Sequence, residues 1–456
     1  MSLQTRFQSF LGRSAQKTLA REKPLIIAVT GCVGKSTTKE LLAAVLHAED
    51  PLAKVRASKK NYNNELGLPL TVFNAEAPGR SPFAWMSLLW RAWTTSMGIR
   101  KTGVQTFIFE MGADKPGDLA YLTSIAEPDI SIVTAVTPED TSWAPVHAAN
   151  YPSIEALAQE KETLVRATKA DGMAILNADD RRVFAMRSAA QCRVATFGQF
   201  NEGADVRILS TRMVMAEGKR GNEPKGLEVT LEYFHHRITL LFKGVFGTPV
   251  AYSAAAAVAV AVTLDAGEDA IASMPAHFLP LQGRTRILPG IKYTTLLDDT
   301  YNASPVAVLS SIRDLASMPL QEHQRRIVCL GEMRELGEQA EMLHERVGAE
   351  AAKQGIDLLV ACGIFAHAIA EGARANGMSE DQIKIFEDTP EAGVFIQDWM
   401  KPGDIVLAKA SQGPEPGRPG WNQVTGVRME RVIKELMADP GHAEQVLCRQ
   451  SEEWLA

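Results

Sequence analysis

Near the amino terminus the sequence Gly31-Cys32-Val33-Gly34-Lys35-Ser36-Thr37-Thr38 gathers two glycines, a lysine and three hydroxyls into one short loop. That set suits phosphate chemistry. Glycines let backbone N–H groups turn toward a phosphate, and a following helix N-terminus adds positive potential. In such loops the lysine reaches the β/γ-phosphates and the next hydroxyl binds Mg²⁺. The full P-loop pattern also asks for a glycine five positions before Gly34, where this chain has Val29. Read alone, the loop fits nucleotide binding or a glycine turn that caps a helix. A second candidate is Glu110, which ends an apolar run just before Met111-Gly112. A carboxylate at the carboxyl edge of a parallel strand faces the ligand crevice and can hold a magnesium ion. The same position also suits a solvated surface glutamate.

The elements needed to position these residues are legible. Leu25–Val29 reads as a buried strand entering the loop, and Lys39–His47 as a helix leaving it. This order favours nucleotide binding. Thr106–Glu110, Ile130–Thr134, Met173–Asn177 and Arg193–Phe197 read as further strands of a mostly parallel sheet. Alternation through Leu227, Val229, Leu231, Tyr233, Ile238 and Leu240 predicts a hairpin-bearing β segment between Asp205 and Phe242. Ala251–Leu264 predicts a helix apolar nearly all round, hence buried. Prolines at 275 and 280 mark a boundary. Beyond it, strands at Thr295–Leu297, Arg326–Leu330, Leu358–Ala361 and Ile405–Ala408 alternate with helices, the first of them Val306–Ala316. The expected fold class is α/β: a P-loop ATPase domain with a mostly parallel sheet, and a smaller Rossmann-like α/β domain. The expected division is a helical extension over 1–23, a central domain over 24–275 and a carboxyl-terminal domain over 276–456. The Gly/Pro-rich stretch Gln412–Asn422 reads as a loop.

Composition narrows the function classes. The 456 residues carry 48 basic and 54 acidic side chains, a net charge of −6, which argues against a nucleic-acid-coating surface. The five cysteines are scattered without Cys-x-x-Cys spacing, as in a reduced cytoplasmic protein without a zinc site. Basic residues interrupt the first 23 positions, so no signal peptide is expected. The segment Phe83–Trp93 is too short to span a bilayer and contains Arg91. It reads as a packed amphipathic helix, with an interfacial membrane contact as the sharper alternative.

Five blocks together resemble the Mur ligase family and its D-alanyl-D-alanine-adding, MurF-type branch. They are Gly31–Glu40, Asn61-Tyr62-Asn63-Asn64-Glu65-Leu66-Gly67-Leu68-Pro69-Leu70-Thr71, Glu110–Asp114, Asp298-Asp299-Thr300-Tyr301-Asn302-Ala303-Ser304-Pro305, and Gly331–Gly337 with His344. The resemblance implies an ATP-dependent, ADP-forming amide ligase of peptidoglycan synthesis, with small peptide or amino-acid substrates, working as a cytoplasmic monomer. A carboxylate is phosphorylated, and an amine then attacks the acyl phosphate. It further implies that Gly31, Gly34, Lys35, Ser36 and Thr37 hold the nucleotide. Ser36, Glu110, His147 and Lys161 would serve Mg²⁺ (or Mn²⁺), with Lys161 as a carbamylated lysine; Lys35, Glu110, His147 and Lys161 form the implied catalytic set. Arg284, in Gly283-Arg284-Thr285, would reach the ATP phosphates from the second domain, and Asp299 the ribose hydroxyls. Asn61, Asn64, Asn302 and Lys409 would lie near the substrate.

The sequence departs from the family pattern in places. Within the block His147–Ser153, Pro152 stands where the family has Gly before the Ser, and Glu332 stands where the branch has Asp. Thr248-Pro249 replaces the family's adenine-contacting His-Asn before the Ala-rich helix. Only about thirty residues precede the glycine loop, whereas full-length relatives carry a UDP-sugar-binding domain there. The expectation is that the acceptor's UDP end is held differently or that the acceptor is not UDP-linked. The latter would make a ligase of a specialised pathway, and a nucleotide-binding scaffold without turnover is the third reading.

Overall fold

A computed structural model describes residues 3–59, 62–79, 81–136, 150–412, 427–451 and 454. The chain opens with helix α1 (Leu3–Glu22), then strand β1 (Leu25–Thr30) and helix α2 (Lys35–Glu49). Strand β2 (Val55–Ala57), helices α3 (Gly67–Phe73) and α4 (Pro82–Ser96), strand β3 (Thr106–Glu110), helix α5 (Asp118–Ile125) and strand β4 (Ile130–Val133) follow. Next come α6 (Ile154–Arg166), β5 (Met173–Asn177), α7 (Arg181–Ala185) and β6 (Arg193–Gly198). The antiparallel strands β7 (Val206–Gly218), β8 (Gly221–Tyr233) and β9 (His236–Lys243) lead to α8 (Thr248–Thr263) and α9 (Glu268–His277).

The first sheet has the order β2-β3-β1-β4-β5-β6-β7-β8-β9. It is parallel from β2 to β7, and the β7–β8–β9 meander adds antiparallel strands at one edge. Strand β1 lies between β3 and β4, helices pack on both its faces, and it is apolar up to Thr30. Its alternate residues feed different layers. Ile27 and Val29 join α2, α8 and α9 on one face, while Ile26 and Ala28 join α1, α3, α4 and α5 on the other. Burying a Val, Ile or Leu side chain contributes about 1.5–3 kcal/mol, so the loop after β1 stands on a well-packed strand. Helix α8 is lined by Ala and Val from Ala254 to Ala261, all buried, as its composition predicts. Helix α9 runs through Pro275 to His277.

The second sheet, β10-β11-β15-β12-β13-β14, is parallel except for its edge strand. Its elements in chain order are β10 (Arg286–Pro289), β11 (Thr295–Asp299), α10 (Pro305–Ala316), β12 (Arg326–Leu330) and α11 (Ala340–Lys353). They continue with β13 (Leu358–Cys362), α12 (Ala366–Ala375), β14 (Ile383–Phe386), α13 (Thr389–Trp399) and β15 (Ile405–Lys409), then α14 (Glu430–Leu436) and α15 (Ala443–Val446). Both sheets are thus part of the α/β architecture expected from the alternating pattern.

The two sheets are tied by backbone and side chains. Phe246 N donates to Thr285 O at 3.0 Å and Ile287 N to Gly244 O at 2.9 Å. Phe246, from the β9–α8 connection, is fully buried in the core of the second sheet. The β7–β8 turn also docks there: Gln324 bonds both the N–H and the C=O of Asn222, and its Nε2 also donates to Gly403 O. Among the described residues, no helix is long and apolar enough to cross a membrane.

Candidate active site

The glycine loop sits where β1 ends and α2 begins. Gly31 has φ +146° and Gly34 has φ +86°, conformations that L side chains rarely adopt. A Cβ on Gly31 would fall 1.9 Å from Thr134 Oγ1. That threonine, just past β4, donates to Val33 O at 2.6 Å and props the loop from beneath. Lys35 Nζ donates back to Gly31 O at 2.7 Å.

Beside the loop, Ser36 Oγ donates to Glu110 Oε2 at 2.8 Å. Glu110 ends β3, which pairs with β1 so that Val29 lies opposite Glu110. The carboxylate is buried, and its charge is balanced by Lys39, whose Nζ lies 3.9 Å from Oε2. Lys39 is itself buried and donates to Ser58 O; Ser58 Oγ in turn accepts from Glu110 N at 3.3 Å. Sequence reasoning gave Lys39 no role, because a lysine at the fifth helical position reads as surface until β2 is seen to cover it.

The second sheet supplies the opposite wall. Gly283 has φ +69°, and a Cβ there would meet Tyr301 N and Cys448 Sγ at 2.9 Å each. This tight turn directs Arg284 over the Tyr301 ring, 4.1 Å from its centroid. Asp298 and Asp299 divide their work. Asp298 is fully buried, accepts from Gly283 N and from the N–H and hydroxyl of Thr300, and burial pushes its carboxyl up to about 6. Asp299 faces the cleft, where its Oδ2 accepts from Lys409 Nζ at 2.5 Å and Ser311 Oγ at 2.9 Å, and its Oδ1 from Thr285 N at 3.2 Å. Strands β11 and β15 pair with Asp299 opposite Lys409, so sheet register fixes this ion pair. Lys409 also donates to Asn302 O.

One cavity joins these parts. Its lining includes Cys32–Thr37 and Glu110 from the first sheet's loops, and Arg284, Asp299, Asn302, Ser304 and Lys409 from the second. Helices α2 and α10 both begin at it, and the latter is capped by Ser304, whose Oγ accepts from Ala307 N. Two helix N-termini and three cations around one cleft favour a polyanion. A Ser hydroxyl beside a buried carboxylate is a hard-oxygen pair of the kind Mg²⁺ prefers, so these residues fit the ion.

The remaining expectations fall elsewhere. Lys161, on α6, is 1% exposed, and burial lowers its pKa; Cys32, Lys35 and Asp114 are among the charges that act on it. It therefore lies close behind the loop but does not line the cavity. His147 and Asn61 lie outside the described residues, as does most of the Gln412–Asn422 loop. Asn64 Oδ1 accepts from Leu66 N and Gly67 N at the start of α3, while its neighbour Asn63 holds Gly112 N through its carbonyl at 2.7 Å. His344 Nε2 accepts from Met333 N, and its Nδ1 donates to Ala340 O, so this buried ring braces the 331–337 loop. Thr248, which stands in place of the family's adenine-contacting residue, donates both its N–H and its hydroxyl to Asp314 of α10. Among the described residues there is no cluster of three or more His, Cys, Asp or Glu side chains able to hold a metal.

A glycine phosphate loop facing a second, Rossmann-like sheet across one polyanion-binding cleft defines a P-loop nucleotide-binding α/β protein. The chain belongs to the Mur ligase family. Residues 29–261 match the Mur ligase middle domain, and residues 283–412 match the Mur ligase glutamate ligase domain. The UDP-N-acetylmuramoyl-tripeptide–D-alanyl-D-alanine ligase of Mycobacterium tuberculosis is 30% identical over 402 residues, covering 85% of this chain and 70% of the relative. The solved structure of MurF from Acinetobacter baumannii superposes with a TM-score of 0.69 at 23% identity, covering 88% of this chain and 77% of that one. MurF ligase from Thermotoga maritima, solved in complex with ADP, also gives 0.69 at 23% identity, covering 94% and 83%.

Proposed function

We propose that this protein is an ATP-dependent amide ligase that joins D-alanyl-D-alanine to the peptide of a UDP-muramyl tripeptide. The observation that carries the reading is the cleft in which Lys35, Ser36 and Glu110 face Arg284, Asp299 and Lys409. In the first step a substrate carboxylate oxygen attacks the γ-phosphorus of ATP and ADP leaves. In the second, the amine of the dipeptide attacks the acyl carbon, inorganic phosphate departs and the amine loses its proton.

Each side chain has a task in this scheme. Lys35 and the α2 N-terminus neutralise charge on the transferred phosphoryl group, and Arg284 grips the phosphates with its planar fork. Asp299, held by Lys409 and Ser311, offers its carboxylate edge to the ribose. Ser36 and Glu110 would hold Mg²⁺, which supplies charge neutralisation between the phosphates; Mn²⁺ has the same oxygen preference. Closing the cleft between two sheets excludes water from the acyl phosphate.

Lys161 fits a carbamate. Burial favours its neutral amine, and a neutral amine is the form that adds CO₂. The resulting anion would suit a site beside Lys35 and a metal. Together with His147, it completes the ligand set proposed for a second ion. The five cysteines are all free thiols, in keeping with the cytoplasm as the proposed place of work.

The test is phosphate release by purified protein with ATP, UDP-muramyl tripeptide and D-Ala-D-Ala. Release that requires all three supports the proposal. Release only with a different acid or amine would retain the ligase and replace its substrates, and no release with any pair would leave a nucleotide-binding scaffold.

A further inference from the structure

Helix α4 presents one largely exposed apolar face. Its inner side buries Leu88, Ala92 and Thr95. On the other side Phe83, Met86, Trp90, Trp93 and Met97 are 78%, 62%, 65%, 41% and 61% exposed. Their alternating spacing of three and four residues places all five within an arc of about 80° at the helical repeat. The Trp90 and Trp93 rings lie 5.1 Å apart, and Ile99, just beyond the helix, is also exposed. A soluble helix rarely presents so many large apolar groups in one stripe.

The surrounding charge has one dominant sign. Between Ala77 and Phe109 the sequence has no Asp or Glu, whereas Arg91, Arg100 and Lys101 fall there. Helix α1 lies alongside in the same direction: Phe7 stacks on Trp85 at one end, and Arg21 donates to Thr95 O and Ser96 O at the other. Its outward residues include Arg6, Arg13 and Lys17. Glu22, the one acid in the first 23 residues, is turned onto Thr102, and Glu76 before α4 is the exposed acid nearest in sequence. This basic border stands out on a chain whose net charge is −6.

We propose that the α4–α1 face docks the protein on an anionic lipid bilayer. Tryptophan, phenylalanine and methionine on one side with arginine and lysine around them is the composition of a helix lying in the membrane interface. The buried inner face keeps α4 attached to its domain, so it lies on the bilayer and does not span it. The basic border favours anionic headgroups and disfavours a second copy of the same face, which would bring like charges together. Between α1 and α5, a groove of about 810 Å³ lined by Phe7, Phe10, Leu89 and Tyr121, with Arg6 and Arg13 among its lining residues, gives acyl chains further apolar surface beside the helix. None of the five exposed α4 residues lines the nucleotide cleft.

The experiment uses the full chain with vesicles of phosphatidylcholine alone or mixed with phosphatidylglycerol. Flotation should recover the protein with the anionic vesicles only, with tryptophan emission shifted to the blue and quenched by brominated acyl chains. The triple variant Phe83→Ser, Trp90→Ser, Trp93→Ser should partition at least about tenfold more weakly while keeping the wild-type far-UV spectrum. Arg100→Glu with Lys101→Glu, at exposed positions outside the helix, should weaken anionic binding and reduce its salt sensitivity. Failure to float with anionic vesicles, or equal partitioning of the variants, overturns the proposal. So does a concentration-dependent dimer in light scattering that the triple variant abolishes, since the face then belongs to a second copy.

Discussion

Ser36 Oγ and Glu110 Oε2 are joined by a hydrogen bond of 2.8 Å that links the first turn of α2 to the end of β3. Both residues belong to the proposed magnesium site, and Lys39 holds the same carboxylate from behind. Glu110→Gln keeps the shape and removes the charge. Its kcat/KM should fall by about 10²-fold or more, with a raised Mg²⁺ requirement, in a phosphate-release assay titrated with Mg²⁺. An unchanged Mg²⁺ dependence would remove Glu110 from the site.

The Lys409–Asp299 pair is a second test. Its side chains are 3% and 10% exposed, and removing one partner from such a pair leaves a charge without compensation. Lys409→Met and Asp299→Asn should each cost about 3–5 kcal/mol or the corresponding fall in unfolding temperature. The double variant should cost less than their sum, as a double-mutant cycle would show. Additive losses would mean that the pair is energetically uncoupled.

How much of this was legible follows from the kind of signal each residue gives. Strands such as Thr106–Glu110 and Arg326–Leu330 match their sequence limits because both faces are buried, so the apolar run ends where the strand ends. The glycine loop was legible for a similar local reason: backbone chemistry demands glycine at positive φ. Helix α2 begins earlier than its periodicity indicated, at Lys35, since the loop's own polar residues make its first turn. Lys39, Ser58 and Ser311 gave no signal, because their roles arise from contacts between distant segments. Asp314 was invisible for the same reason: only the fold brings α10 against the N-terminus of α8. Arg284 and Asp299 became legible through the family resemblance, not through any local pattern.

The Asp314 contact carries a pH dependence. Burial pushes its carboxyl up to about 6 from 3.8, against the lowering effect of its bonds to Thr248 and Ser310. A folded-state pKa above the unfolded one means that the folded protein binds the proton more tightly. The associated stability is complete below about pH 4 and is lost as pH rises through about 6. Relative to Asp314→Asn, which cannot titrate, the wild type should therefore lose about 1–2 kcal/mol between pH 4.5 and 7.5, allowing for partial exposure. Melting curves of both proteins across that range check the sign; a wild type that gains relative stability with rising pH would contradict it.

Lys161 tests the carbamate. Lys161→Ala should lower turnover by about 10²-fold or more, and small carboxylic acids added to the variant should restore part of it by filling the vacated space with an anion. Depleting bicarbonate should slow the wild type and leave the variant unaffected. Full activity of Lys161→Ala would remove this residue from catalysis.

The central claim is that the two sheets close one nucleotide between Lys35 and Arg284, and that the phosphoryl group passes from it to a carboxylate. The most direct measurement is transfer of ¹⁸O from carboxylate-labelled UDP-muramyl tripeptide into the phosphate released with ATP and D-Ala-D-Ala. The account predicts one labelled oxygen in each phosphate formed by the wild type, and loss of that product in Lys35→Ala and Arg284→Ala. Phosphate released without label, or formed undiminished by both variants, would contradict it.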